Sequence, residues 1–367
     1  MAKLIAWMNG ERVGTLMQHH DGTLSFQYAA SWLQHPLTRP LSLSLPLQRA
    51  AHHSVRVSYF FENLLSPIPL TEKEKNQAFQ TKSCGVFAVL QKVGHRLPGA
   101  LIMLPVNQQP VELDDESIMS DMASAHADSD NAFLCLALAR ELGLPVPDAR
   151  PLRQEGGGWQ LCITRDDRRW NADRTQCYRL PTENLCQALG FPPACSHEQS
   201  GGPGLKALMG LLMGSRSALT DREAIMRCLV FQWLTGITSL DARHIRLFIE
   251  REGSFRLAPF RCLVSAWPAR SQRKMDRDDI QLPLGVTGPA GKLHRITQIA
   301  PSHFLASARS VRFSEEQMHA ILNGFVSALP AAMIRVRDSL PEEVSLVVAD
   351  AIFSHSLLML EQVRSLT

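Results

Sequence analysis

The chain predicts an α+β protein: a small N-terminal antiparallel β/α subdomain, followed by a second domain with a mainly helical C-terminal part. Three observations carry that expectation. Short alternating stretches separated by turn residues fill the first hundred positions, a polar acidic segment breaks the chain at 106–130, and long apolar-periodic stretches dominate from about residue 183.

The first subdomain opens with "KLIAWMNGERVGTLM", two apolar runs joined through Asn9-Gly10, the dipeptide that best tolerates the positive φ angles of a type I′ hairpin. Asp21-Gly22 marks a second turn before "TLSFQYA", where Leu24, Phe26 and Tyr28 alternate with polar residues, so a small meander is expected. "VSYFFENLL" and "VFAVLQKVG" read as short helices and "GALIMLP" as a strand. The acidic segment 106–130 reads as a linker and sets the expected boundary between units at 1–121 and 122–367.

Beyond it, "NAFLCLALARELGLPVPDAR" is a helix stopped by Gly143 and Pro145, "WQLCIT" is a strand after a Gly-rich turn, and the remainder reads as largely helical. Thr220 three residues before Glu223, and Ser314 three residues before Gln317, both match the capping box. Met318, Ile321, Leu322, Phe325 and Leu329 form one stripe at helical spacing, which predicts core packing.

Composition bounds the function loosely. A length of 367 residues with 45% apolar content supports two buried cores. The 38 Lys and Arg nearly balance 35 Asp and Glu, and the net charge of +3 permits a nucleic-acid or anionic partner without requiring one. The N-terminus lacks the apolar core of a signal peptide and no later run suggests a membrane span, so a cytoplasmic protein with no membrane partner is expected. Eight cysteines occur without a C-x-x-C pair and read as reduced, mostly buried thiols. The pairs His19-His20 and His52-His53 lack a third ligand at a useful spacing and read as solvated. "RSQRKMDRDD" reads as a solvated loop, with contact to DNA phosphates or an acidic partner as the alternative, and "GGPG" as a turn between helices.

A set of ordered stretches resembles the HipA-type serine/threonine kinase toxins of bacterial toxin–antitoxin pairs: "TRPLSLSLPLQR" (38–49), "GALIMLP" (99–105), "LARELGLPVPDA" (138–149), "RLPTENLCQALGFPP" (179–193), "GGPG" (201–204), "FQWLTG" (231–236) and "PSHFLASARSVRFSEEQMH" (301–319). The resemblance implies a kinase-like (HipA-like) second domain in shortened form. It also implies a HipB-like helix-turn-helix antitoxin as partner, with operator DNA reached through it. Active relatives phosphorylate a protein such as glutamyl-tRNA synthetase.

Phosphoryl transfer needs a phosphate-cradling loop, a carboxylate at the attacking hydroxyl and ligands for magnesium. Aligning "FQWLTG" with the family's turn before a D-G-H-x-K-N loop puts Ser239 on the base, Asp241 on the His, Arg243 on the Lys and His244 on the metal-holding Asn. The family's P-F-Y-D stretch falls on "PFRC", with Cys262 on the second metal ligand and Arg261 beside it. The hinge, E-R-F-D-R in the family, reads Thr164, Arg165, Asp166, Asp167, Arg168, so Thr164 and Asp166 depart from it. Segment 106–130 contains no Lys or Arg and nothing like a Gly-rich phosphate loop. No catalytic, cofactor or metal residue is expected intact. Asp241 is the one candidate to rescue the base through a register slip, and an exposed turn residue or a helix cap is the preferred reading of it.

The sequence therefore favours a pseudokinase acting as a partner-binding or regulatory module, on an antitoxin or on an active HipA-like relative, without a cofactor. A divergent active kinase toxin using ATP and magnesium is the alternative, and a decaying gene product the third.

Overall fold

The computed structural model describes residues 1–68, 84–110, 121–122, 129–154 and 157–364. Strands β1 (Ala2–Met8) and β2 (Glu11–Gln18) form the expected hairpin, with Asn9 at φ 47° and Gly10 at φ 84°. Two successive positive φ values turn the chain with the same hand as the strand twist, which is why Asn-Gly works there. β3 (Leu24–Tyr28) pairs with β2, and β4 (Leu101–Pro105) returns to the free side of β1, giving an antiparallel sheet ordered β3-β2-β1-β4. Leu4, Ala6 and Met8 alternate into a core that also takes Phe61 from helix α2 (Arg56–Leu65) and Val89 from α3 (Cys84–Val93). The four-residue helix α1 (Ala30–Leu33) adds Trp32 to it.

The larger second core begins with strand β5 (Asp121–Met122), so both residues flanking the expected boundary pair with β7 (Trp159–Ile163), the centre of a sheet ordered β5-β7-β6 with β6 (Ala149–Arg153). Helix α4 (Ser129–Glu141) packs on this sheet and ends before Gly143, at φ 69°. The hairpin β8 (Arg168–Trp170) and β9 (Cys177–Arg179) leads to β10 (Thr182–Asn184) and α5 (Leu185–Leu189), which is opened by a reciprocal Asn184–Gln187 capping box.

The C-terminal part is less uniformly helical than its sequence suggests. Helices α6 (Leu205–Leu211), α7 (Ala218–Thr235), α8 (Trp267–Ser271), α9 (Pro301–Ser310), α10 (Glu315–Asp338) and α11 (Leu346–Arg364) are interrupted by β11 (Arg246–Ile249), β12 (Phe255–Leu257) and the hairpin β13 (Gln281–Gly288) and β14 (Gly291–Arg295). β11 and β12 extend β10 into a three-stranded sheet, a pairing across more than sixty positions that local periodicity cannot reveal.

Of two local capping expectations, one fails and one holds. Thr220 lies inside the first turn of α7, because Ser215 and Asp221 organise that end: the Ser215 hydroxyl donates to Asp221, whose Oδ2 also accepts from the Leu257 amide at 2.8 Å. Ser314 does cap α10, its hydroxyl accepting from the Gln317 amide at 3.2 Å. By length and composition alone α10 and α11 would each cross a membrane. Their apolar residues, among them Met318, Leu322, Ile352 and Leu360, form part of the second core, which accounts for that hydropathy.

Candidate functional site

The loop that follows α7 is positioned by a glycine. Gly236 takes φ 66°, and a Cβ there would meet the Trp267 indole at 2.7 Å, so only glycine ends this helix without moving the buried ring. The chain then runs beside residues 262–265, pairing Ile237 with Ser265. Asn131 of α4 fixes that second segment by accepting from the Ser265 amide and donating to its carbonyl, both at 2.8 Å. Residues 239–244 and 261–262 are thus held against each other from two sides.

Ser239 spends both hydrogen-bonding capacities on this pairing. Its hydroxyl donates to the Cys262 carbonyl and accepts from the Val264 amide, each at 2.9 Å. In this arrangement it joins two backbone segments, and with its proton donated to a carbonyl it offers no charge to a substrate hydroxyl.

Asp241 is not the exposed turn residue expected of it. It is only 2% exposed, and its carboxylate is enclosed by donors: the Arg243 amide at 2.9 Å, the Arg243 guanidinium at 2.9 and 3.2 Å, and the His244 ring at 2.9 Å, with His197 at 3.8 Å. Burial alone would raise its pKa, but His244 and Arg243 outweigh it and hold the carboxyl well below the usual range. A carboxylate so strongly stabilised is a poor proton acceptor. The physical reason for the burial is local. The spacing Asp-x-Arg-His closes a tight turn in which one side chain meets the amide two residues on and the cations two and three residues on.

His244 and Cys262 are the two departures from the metal-holding pattern. The His244 ring lies 2.9 Å from the Asp241 carboxylate, and it and the Cys262 thiol are near enough to shift each other's charge. Burial works against the charge on the ring, yet Asp241 and Cys262 together push its pKa up. Two guanidiniums stand beside this pair. Arg246 and Arg261 both reach Asp166 of the hinge, Arg261 at 3.7 Å, so the acid that departs from the family pattern there anchors two cations next to the thiol. Thr164 is exposed, its amide bound to the Asp148 carbonyl.

The other hinge acid has a different task. Asp167 is 1% exposed, and its carboxylate takes Arg165 at 2.8 and 2.9 Å, Arg168 at 3.2 Å and the Gly99 amide at 2.9 Å. Arg179 completes the knot by donating to the Gly99 carbonyl at 2.9 Å and to that of Leu97. Arg165, Asp167 and Arg168 are the hinge positions that keep the family's residue types, and they tie the first subdomain to the second. A second tie joins the serine-rich loop to α5, with Ser44 donating to the Gln187 carbonyl at 2.6 Å and buried Glu183 accepting from the Leu43 amide at 2.9 Å. Sequence reasoning missed Arg246, His197, Arg179 and Glu183, whose partners lie far along the chain.

Magnesium takes oxygen ligands at near-ideal octahedral positions. A thiol and an imidazole flanked by two guanidiniums do not fit that ion. The expected absence of a phosphate loop falls on 106–130, and of this stretch residues 111–120 and 123–128 lie outside the described residues. A cavity of about 320 Å³ lined by His197, Thr238 and Gln281 opens near Asp241, and one of about 370 Å³ lies between α7 and α10. Neither is lined by Ser239, His244 or Cys262.

A kinase-like scaffold whose metal-holding positions carry sulfur and nitrogen is the class of protein this geometry describes. The model of the HipA N-terminal domain matches residues 4–104 and that of the HipA-like C-terminal domain residues 115–333, and the chain belongs to the HipA-like family. Among curated proteins it is 26% identical over 337 residues to "Putative kinase Y4mE" of Sinorhizobium fredii (strain NBRC 101917 / NGR234), covering 74% of this chain and 79% of that one. Among solved structures it is similar to HipA in the Shewanella oneidensis MR-1 complex of HipA, HipB and operator DNA. The TM-score there is 0.80 at 18% identity, over 99% of this chain and 97% of that one. A looser likeness, TM-score 0.40 at 11% identity over 65% of this chain and 84% of the other, is to the Helicobacter pylori proinflammatory kinase CtkA.

Proposed function

We propose that this HipA-like chain is a pseudokinase: a cytoplasmic toxin–antitoxin protein that works by binding a partner rather than by transferring phosphate. The observation that carries this reading is the state of Ser239. Its hydroxyl, at the position of the base, is committed to backbone atoms of the segment that bears Cys262, while the positions that would hold magnesium carry the nitrogen of His244 and the sulfur of Cys262. Asp241 gives the active-kinase alternative no support, since its oxygens already face Arg243 and His244. Parts of a catalytic site act as a unit, so the loss of the base or of a metal ligand is by itself enough to remove most of the activity.

The partner is a HipB-like helix-turn-helix protein and, through it, operator DNA. The Shewanella HipA, whose fold this chain shares over nearly its whole length, is seen in such a complex. An active HipA-like relative is the other protein such a scaffold would pair with.

Magnesium-ATP is expected to leave the melting temperature of the purified full chain unchanged, and labelled phosphate is expected to reach neither the chain nor glutamyl-tRNA synthetase. Transfer that disappears in Asp241→Asn would establish the kinase instead. Co-purification with a helix-turn-helix protein encoded beside it is the corresponding test of the partner.

A further inference from the structure

We propose that Cys186 and Cys195 form a redox modification site, a thiol pair that closes into a disulfide on meeting a low-molecular-weight disulfide of the glutathione class. The inference holds independently of whether the chain transfers phosphate.

It rests on how two segments are brought together. Cys186 lies in α5, and the chain turns back twice before Cys195: the Phe191 amide donates to the Cys186 carbonyl at 2.7 Å, and the Cys195 amide to that of Pro192 at 3.0 Å. The Cys186 sulfur consequently stands 3.9 Å from the Cys195 carbonyl oxygen. Two bonds separate that oxygen from the Cys195 Cα, so the sulfur lies within about 7 Å of it. A disulfide spans about 4.4–6.8 Å between Cα atoms, and bridging this pair asks only for side-chain rotation and a closure of a few ångströms.

The surrounding structure holds the two segments there. Ala242 is bonded to a neighbour of each cysteine: its carbonyl accepts from the Leu185 amide and its amide donates to the Ser196 carbonyl, both at 3.0 Å. The glycine-rich stretch at 201–204 closes over the Cys195 carbonyl, since a Cβ on Gly202 would come within 2.1 Å of that oxygen. Ala242 belongs to the turn between Asp241 and His244. A bridge at 186 and 195 is thus joined directly to the loop that carries the base position.

Exposure divides the roles. Cys195 is partly exposed and Cys186 buried, so a reagent in solution meets Cys195 first. Burial pushes the Cys186 thiol up to about 12, which protects it from direct attack on that reagent. Once Cys195 carries the mixed disulfide the second step is internal, and a short connection gives an effective concentration of about millimolar.

In the first step the Cys195 thiolate attacks one sulfur of the reagent. A protein–reagent S–S bond forms, the reagent's own S–S bond breaks, and one thiolate leaves and takes up a proton. In the second the Cys186 sulfur attacks that of Cys195, the bond between the two cysteines forms, and the second thiolate departs with the proton that Cys186 releases. The cysteines are oxidised by two electrons and the reagent is reduced to two thiols.

The test equilibrates the full chain with reduced and oxidised glutathione at graded ratios, quenches with acid, and alkylates the remaining thiols with iodoacetamide in denaturant. Trypsin releases both cysteines in one peptide, residues 180–206, because no lysine or arginine separates them. The bridge is read by mass spectrometry as that peptide without label and two hydrogens lighter. It is expected to be half formed at a ratio where Cys177 and Cys262, which are also partly exposed, are about tenfold less oxidised. In Cys186→Ser the oxidation is expected to stop at glutathione on Cys195. A peptide that keeps both labels through that range, or that carries glutathione on Cys195 while Cys186 stays labelled, overturns the proposal. The wild-type peptide decides even where the variant does not fold.

Discussion

Two knots of charge, one on Asp167 and one reached by its neighbour Asp166, are built on opposite plans. Around Asp167 the arginines are shared with main-chain atoms of the first subdomain, the Gly99 amide and the Gly99 and Leu97 carbonyls, so the charges join two parts of the chain. Around Cys262 the ionisable groups Asp241, His244, Arg246 and Arg261 are satisfied mainly by one another and by Asp166. The first knot keeps the residue types of the family and acts on architecture. The second consists of departures from the family pattern, and it leaves a polar cluster whose chemistry is its own. Retained charges in a degenerate site need not be remnants of catalysis; here they are the hinge.

The sharpest way to break this comparison is Asp167→Ala. It removes the carboxylate that Arg165 and Arg168 share beside the buried Arg179, and deleting one partner of a buried ion pair should cost about 3–5 kcal/mol in urea unfolding. A loss below about 1 kcal/mol, the range of exposed pairs, would show that this knot is not what joins the subdomains.

Next in size is Glu183, at the other tie. Burial pushes its carboxyl up to about 7, with only the Leu43 amide and Ser42 opposing. The folded state therefore holds a proton that the unfolded chain, with a pKa near 4.5, releases earlier. Stability falls as pH rises between those values and stays lower above them. Glu183→Gln is expected to gain about 2–3 kcal/mol at pH 8 and almost nothing at pH 4. Equal effects at both pH values would place the charge elsewhere.

Asp241→Asn is expected to cost about 1–3 kcal/mol, less than Asp167→Ala, because its partners Arg243 and His244 keep access to water. If the order of the two variants were reversed, the second knot would be the structural one. Ser239→Ala should be the mildest, about 1 kcal/mol for two hydrogen bonds to backbone groups in a partly open segment.

Much of this was readable from residues alone wherever the cause is local. Asn9-Gly10 announces its hairpin, Ser314 its helix, and the stripe from Met318 to Leu329 its buried face, because each depends on neighbours within a few positions. Thr220 shows the limit. Its spacing to Glu223 matches a cap, but Asp221 is drawn to the Leu257 amide thirty-six positions away, and the helix starts earlier. The substitutions at 239, 244 and 262 were legible through the family resemblance, whereas the way they fill the space was not.

The sequence by itself determined that no carboxylate stands at 239 or 262, and its family resemblance implies that these positions and 244 correspond to the base and metal ligands. Only the tertiary structure decided that His244 and Cys262 are near enough to shift each other's charge, that Asp241 is buried among cations, and that one hinge aspartate holds the subdomains while the next faces Arg246 and Arg261. The reason is distance along the chain. Residue identity at a position needs no partner, but a pKa, a nucleophile or an ion pair is a property of groups brought together from segments that share no local pattern.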